Sequence, residues 1–245
     1  MFNRKALAIC IVTLGLAACG GSGGGSNEPS PPPPQANPEG FWSGTLSTGD
    51  SLEALVTETG EIWAIGISNG SVVSMLWGKG ETSGSTYQGT GFEYYGGAVG
   101  RGSFSAEVET RASLIGSAGT VQFKLQYNDS YEIPASQVTL AGKWATFDRS
   151  ALFEIDATGS VSGTMSTADT GYQPCSFSGN AKAHDSKNYY KVNLTLSDDM
   201  GCQPRMGASY QGVLIKDYGG ITDTLLIGAA RNDNTDAFVT IAFPD

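Results

Sequence analysis

His184 is the chain's single histidine, and Asp185 follows it in the polar run Lys182 to Asn188. A Ser-His-Asp triad would also need a nucleophile on a strained turn such as G-x-S-x-G, and no such turn occurs in α/β context. His184 therefore reads as a solvated hairpin residue. Cys175 and Cys202 with His184 make at most three soft metal ligands, at no recognisable zinc spacing. The chemistry that suits the two cysteines is a disulfide across a separation of 27 residues. Asn232-Asp233-Asn234-Thr235-Asp236 gathers oxygen ligands but lacks the glycine and distal glutamate of a calcium loop, so it reads as a hairpin turn. Asp198-Asp199 reads as a wet loop near Cys202. The Gly-rich stretch Gly89 to Gly102 lacks the Lys-Ser/Thr ending and following helix of a phosphate loop. It carries Phe92, Tyr94 and Tyr95, and is either an exposed aromatic binding loop or two Gly-rich strands and their turn. No catalytic residue, metal or cofactor is expected, and the chain is read as a non-enzyme.

The elements that position these residues are β throughout. Val121 to Tyr127, Lys191 to Leu196 and Phe104 to Val108 alternate apolar and polar at period two, giving strands with one buried and one wet face. Short apolar runs, Ile62 to Ile67, Val213 to Ile215 and Leu225 to Ile227, lie between turn signals. Asn69-Gly70 is the sharpest of those signals, because both residues tolerate the positive φ of a tight hairpin. No helical period persists for three turns. Trp42, Trp63, Trp77 and Trp144 are expected in the core or plugging barrel ends.

The N-terminus reads as a targeting segment. Arg4 and Lys5 precede the apolar stretch Ala6 to Leu16, which at ~1.5 Å per residue cannot cross a hydrocarbon core of ~30 Å. Leu16-Ala17-Ala18-Cys19 is similar to the bacterial lipobox. That similarity implies cleavage before Cys19 and lipidation of its thiol, with residues 1–18 as the signal. Gly20, in place of a retaining Asp, implies the outer membrane; its periplasmic or surface face is left open. Residues 19–38 read as a tether, Gly/Ser-rich and then proline-rich. The export route supplies the oxidising compartment that a Cys175–Cys202 disulfide requires. Losing Arg4 and Lys5 leaves twelve basic against 24 acidic side chains, which disfavours nucleic acid as a partner.

The globular part reads as duplicated. Gly40-Phe41-Trp42 matches Gly142-Lys143-Trp144, and Thr59-Gly60-Glu61-Ile62 matches Thr158-Gly159-Ser160-Val161. Tyr87-Gln88-Gly89 matches Phe177-Ser178-Gly179, and Ala112 to Gly116 matches Ala208 to Gly212. The expected fold is all-β and antiparallel: two tandem small barrels of about eight strands each, over 39–136 and 137–245. The disulfide belongs to the second.

Signal, lipobox, Gly-rich tether and paired β units resemble the uncharacterised outer-membrane lipoproteins of proteobacteria. Gly142-x-Trp144, the run Cys175 to Gly179, Cys202 and Tyr210-Gln211-Gly212 carry most of that resemblance. Thr86-Tyr87-Gln88-Gly89-Thr90 with Phe104-Ser105 also resembles the barrel lipoproteins typified by factor H-binding protein and transferrin-binding protein B. Those relatives imply a binding role, although architecture alone does not transmit it. The expectation is an outer-membrane-anchored binding module for a protein, glycan or small apolar ligand, with Phe92, Tyr94 and Tyr95 as the candidate contact loop. A structural or envelope-maintenance lipoprotein without a dedicated ligand is the alternative, and an enzyme is third.

Overall fold

A computed structural model describes residues 35–166 and 173–245. The expected signal peptide, Cys19 and the expected tether as far as residue 34 lie outside them. The described chain forms two closed, antiparallel, eight-stranded barrels, each strand pairing with its sequence neighbour and the last closing on the first. The first holds β1 (Gly40–Leu46), β2 (Ser51–Val56), β3 (Glu61–Ser68), β4 (Ser71–Ser83), β5 (Thr86–Tyr95), β6 (Ala98–Glu109), β7 (Ser113–Ala118) and β8 (Val121–Asn128). The second holds β9 (Gly142–Ala145), β10 (Ala151–Ile155), β11 (Ser160–Met165), β12 (Cys175–Ala183), β13 (Tyr190–Leu196), β14 (Ser209–Lys216), β15 (Leu225–Arg231) and β16 (Ala237–Pro244). Residues 129–141 connect them, through a 3-10 turn and the one-turn helix α1 (Gln137–Leu140).

Local chemistry follows the sequence. The β3–β4 hairpin turns on Asn69 and Gly70, both at positive φ (51° and 78°), as a two-residue turn requires. Trp42 and Trp144 plug the corresponding ends of the two barrels. Each indole N–H donates to the carbonyl four residues earlier, Pro38 (2.8 Å) and Leu140 (3.3 Å). Residues 35–38 run against the first barrel at that end. The Ala36 N–H donates to the Gly84 carbonyl, and the Asn37 N–H to Thr110 Oγ1.

The barrels share a third apolar core, between them. The inward faces are filled by Trp42, Tyr87 and Leu125 in one and by Trp144, Phe177 and Tyr210 in the other. Ile65, Ile67 and Met75 on the outside of the first meet Val213, Leu226 and Ile241 on the outside of the second. The uninterrupted apolar runs of β3, β14 and β15 are thus strands buried on both faces, whereas β8 and β13 alternate. Gly228 lies at the closest approach: a Cβ there would stand 3.0 Å from Met75 Sδ and 3.1 Å from Ile65 Cδ1.

Two of the four sequence matches fall on equivalent positions. Trp42 pairs with Ala54 as Trp144 pairs with Phe153. The Gly60 carbonyl accepts from Gly80 as that of Gly159 accepts from Ala181. The other two matches are displaced by one strand: Tyr87 is on the fifth strand of its barrel and Phe177 on the fourth, while Ala112–Gly116 runs into the seventh strand and Ala208–Gly212 into the sixth. The duplication is real at the level of topology, and those two motifs match through shared strand composition.

Candidate functional site

The registers allow the two barrels to be compared position by position, and they differ in what fills them. In the second, Phe153, Phe177 and Phe238 meet in the lumen with ring centroids 6.2 Å and 5.9 Å apart. The space left among them is about 10 Å³. The positions equivalent to these three phenylalanines in the first barrel are Ala54, Leu76 and Val121. All three line a cavity of about 310 Å³. A reverse exchange elsewhere compensates within its own layer. Phe104 packs over Gly89, and in the second barrel Val192 lies opposite Gly212 at the same two positions. The hollow opens at these three small-for-large positions, even though Leu52, Phe123 and Leu125 are larger than their counterparts Ala151, Thr240 and Ala242.

The cavity is closed below and open above. Trp42 and Tyr87 close one end, the Tyr87 hydroxyl donating to the Gly60 carbonyl (3.0 Å). Burial raises the Tyr87 pKa above the ordinary range, so it stays a neutral plug. The walls are aliphatic and aromatic: Leu52, Ile62, Leu114, Phe123 and Leu125 among them. The mouth lies among the β1–β2, β3–β4, β5–β6 and β7–β8 turns and carries Thr48, Asp50, Ser74, Glu93 and Tyr95. At the matching end of the second barrel, Met165, Cys175 and Leu196 stand where the first has Gly66, Ser74 and Glu93. There Cys202, bonded to Cys175, draws the segment between β13 and β14 onto the core, with both cysteines fully buried. The second barrel is filled and capped; the first is neither.

The expected disulfide is present, joining β12 to the 3-10 turn Met200–Cys202. The aromatic trio is divided by the period of a strand. Phe92, Tyr94 and Tyr95 lie on β5, and only Gly96-Gly97 form the turn, at φ 59° and 83°. Phe92 and Tyr94 face out of the barrel and pack at the junction with the second. Phe92 stacks on Trp77 at 5.7 Å, with the Arg101 guanidinium 4.8 Å over its ring. Tyr95 has the opposite orientation, stands at the cavity mouth and is 66% exposed.

Trp77 is in a core, as expected, but the core is the one between the barrels, with Trp63 half-buried beside it. Trp63 and Trp77 are on the outer face of the first barrel, directly paired across β3 and β4. The Trp77 indole N–H donates to Asn234 Oδ1 (2.9 Å) in the β15–β16 turn, so part of the Asn/Asp cluster is a junction contact. His184 is a junction residue too. Its ring stacks on Tyr189 at 4.6 Å, and its Nε2 lies 3.3 Å from Glu58 Oε1 of the first barrel. No spacing rule could have found the cavity, because it depends on which small residues face inward at the same level of eight strands. The available signal was composition by face, Ala54, Leu76 and Val121 in one half against Phe153, Phe177 and Phe238 in the other.

Comparison with protein-family models, with curated proteins and with solved structures finds no match.

Proposed function

We propose that the chain is a lipid-anchored binding protein of the outer membrane, held through Cys19, whose first barrel takes a small apolar ligand into its lumen. The observation that carries the reading is the open 310 Å³ cavity of the first barrel, set beside its filled counterpart in the second. Two barrels of one topology share one chain, so fold alone does not account for the hollow. An apolar, largely preformed cavity with a few polar groups at its mouth is the usual form of a small-molecule site. Binding would be driven by removing apolar surface from water, about 25 cal/mol per Å² buried. The second barrel serves as a rigid support, joined to the first through the shared core.

The test is uptake of an apolar fluorescent probe, N-phenyl-1-naphthylamine, by the full-length chain carrying Cys19→Ser. That substitution removes acyl chains that would compete for the cavity. The wild-type lumen should enhance probe emission saturably. The double variant Ala54→Phe/Leu76→Phe imports two rings of the second barrel and should abolish the enhancement while the circular dichroism and unfolding midpoint persist. Probe enhancement unchanged in a folded double variant would remove the lumen as the site.

A further inference from the structure

The mouth of the cavity differs from its walls, and the difference has a sign. Glu93 lies opposite Leu76 in the β4–β5 ladder, one inward pair below the rim pair of Ser74 and Tyr95. At the equivalent position the second barrel has Leu196, opposite Phe177 and buried. An acid thus stands where the filled barrel has a leucine. Across the mouth, Asp50 accepts a hydrogen bond from the Thr48 hydroxyl (2.8 Å). Hydrogen bonds from Ser68 and Thr48 hold its carboxyl below the usual range, so it stays ionised. Tyr95, two residues along β5 from Glu93, brings an aromatic ring to the same rim. Among the described residues that line the cavity, none is basic.

Resting on the lumen reading, we propose that the ligand is a cationic amphiphile: an apolar body within the barrel and an amine at the mouth, between Glu93 and Asp50 and against the Tyr95 ring. A carboxylate-headed ligand would meet two like charges with no counterion from the protein. An alcohol of the same length would bury the same apolar surface but gain no ionic contact. An ammonium would gain charge-assisted hydrogen bonds to Glu93 and a cation–π contact with Tyr95. The chain's net negative charge adds to this by concentrating cations near the opening.

The experiment is displacement of the bound probe by decylamine, decanol and decanoate, at pH 7 and low salt, with the full-length Cys19→Ser chain and with Glu93→Gln added. Decylamine should displace the probe at roughly tenfold lower concentration than decanol, a charge-assisted contact's worth, and decanoate should be weakest. Glu93→Gln should bring decylamine close to decanol, each competitor being read against that variant's own probe affinity. Equal potency of decylamine and decanol in the parent chain, or decanoate as the strongest competitor, would overturn the charge assignment and leave the lumen reading standing. Failure of the parent chain to take up the probe or any of the three would overturn both. Retention of the full amine preference in Glu93→Gln would overturn the role given to Glu93.

Discussion

At the scale of single residues, the two neighbouring tyrosines of β5 are to be separated by experiment. Tyr94 packs into the core between the barrels, and Tyr95 stands at the mouth. Tyr94→Ala should cost about 3 kcal/mol, as large aromatic truncations in packed sites do. Tyr95→Ala should fall within about 0.5 kcal/mol of wild type, as exposed substitutions do. Urea unfolding of the two single variants measures both. Equal losses would mean that the strand does not divide the pair. In sequence the trio looked like one patch because three aromatics stood among glycines. The period of two, applied through Tyr95, would have put Phe92 and Tyr94 on one side and Tyr95 on the other. What it could not supply was which side meets a second barrel.

At the scale of elements, strand periodicity was legible and its meaning was only partly so. The alternating runs at β6, β8 and β13 follow the half-wet strand rule. The unbroken runs at β3, β14 and β15 are the same kind of strand with a neighbour on its outer face. Pairing between distant strands decides this, and no local pattern encodes it. Gly228 tests the reading, because the shared core leaves it room for a methyl group at most. Gly228→Leu should destabilise by about 1–3 kcal/mol through overpacking, while Gly228→Ala should do much less. Thermal unfolding of the pair would settle it, and a Leu variant as stable as wild type would argue against tight packing there. The disulfide was legible from cysteine parity and the export route expected of the N-terminus, and it staples the cap of the second barrel. Its reduction should remove about 3–4 kcal/mol by the loop-entropy relation for this separation. Because the barrels share a core, that loss should shift one common unfolding transition. Two separated transitions on reduction would show that the junction does not couple them.

At the scale of the whole molecule, the junction carries a charge network as well as an apolar core. Lys187, next to the second barrel, lies 2.8 Å from Glu39 Oε1 and 3.0 Å from Glu132 Oε2, and 4.7 Å over the Tyr131 ring. The Tyr131 hydroxyl donates to the same Glu39 oxygen (3.2 Å). Burial pushes the Glu39 pKa up, but the hydrogen bond from Lys187, with lesser help from Asn37 and Tyr131, outweighs it and leaves the carboxyl below its ordinary 4.5. Burial pushes Lys187 down, and its bonds to Glu39 and Glu132 outweigh that, leaving the amine above its ordinary 10.5. The depressed carboxyl contributes stability that is present above pH 4.5 and lost as pH falls through its folded value. The raised amine contributes stability that is present below pH 10.5 and lost as pH rises through its own. Lys187→Met removes the main opposition to burial at Glu39, so the Glu39 pKa should rise above its ordinary value. A raised carboxyl has the opposite sign: it weighs against folding at neutral pH and is relieved on acidification. Other hydrogen-bonded carboxylates, Asp148, Asp156 and Asp233 among them, add an acid-sensitive background common to both proteins. The informative quantity is therefore the difference in unfolding free energy between Lys187→Met and wild type, by urea titration at pH 7, 5 and 3.5. That difference should be largest at pH 7 and shrink steadily toward pH 3.5, as Glu39 takes up the proton that replaces the lost ammonium. A constant difference across the three would mean that Lys187 holds the barrels together by packing over Tyr131 and not by charge.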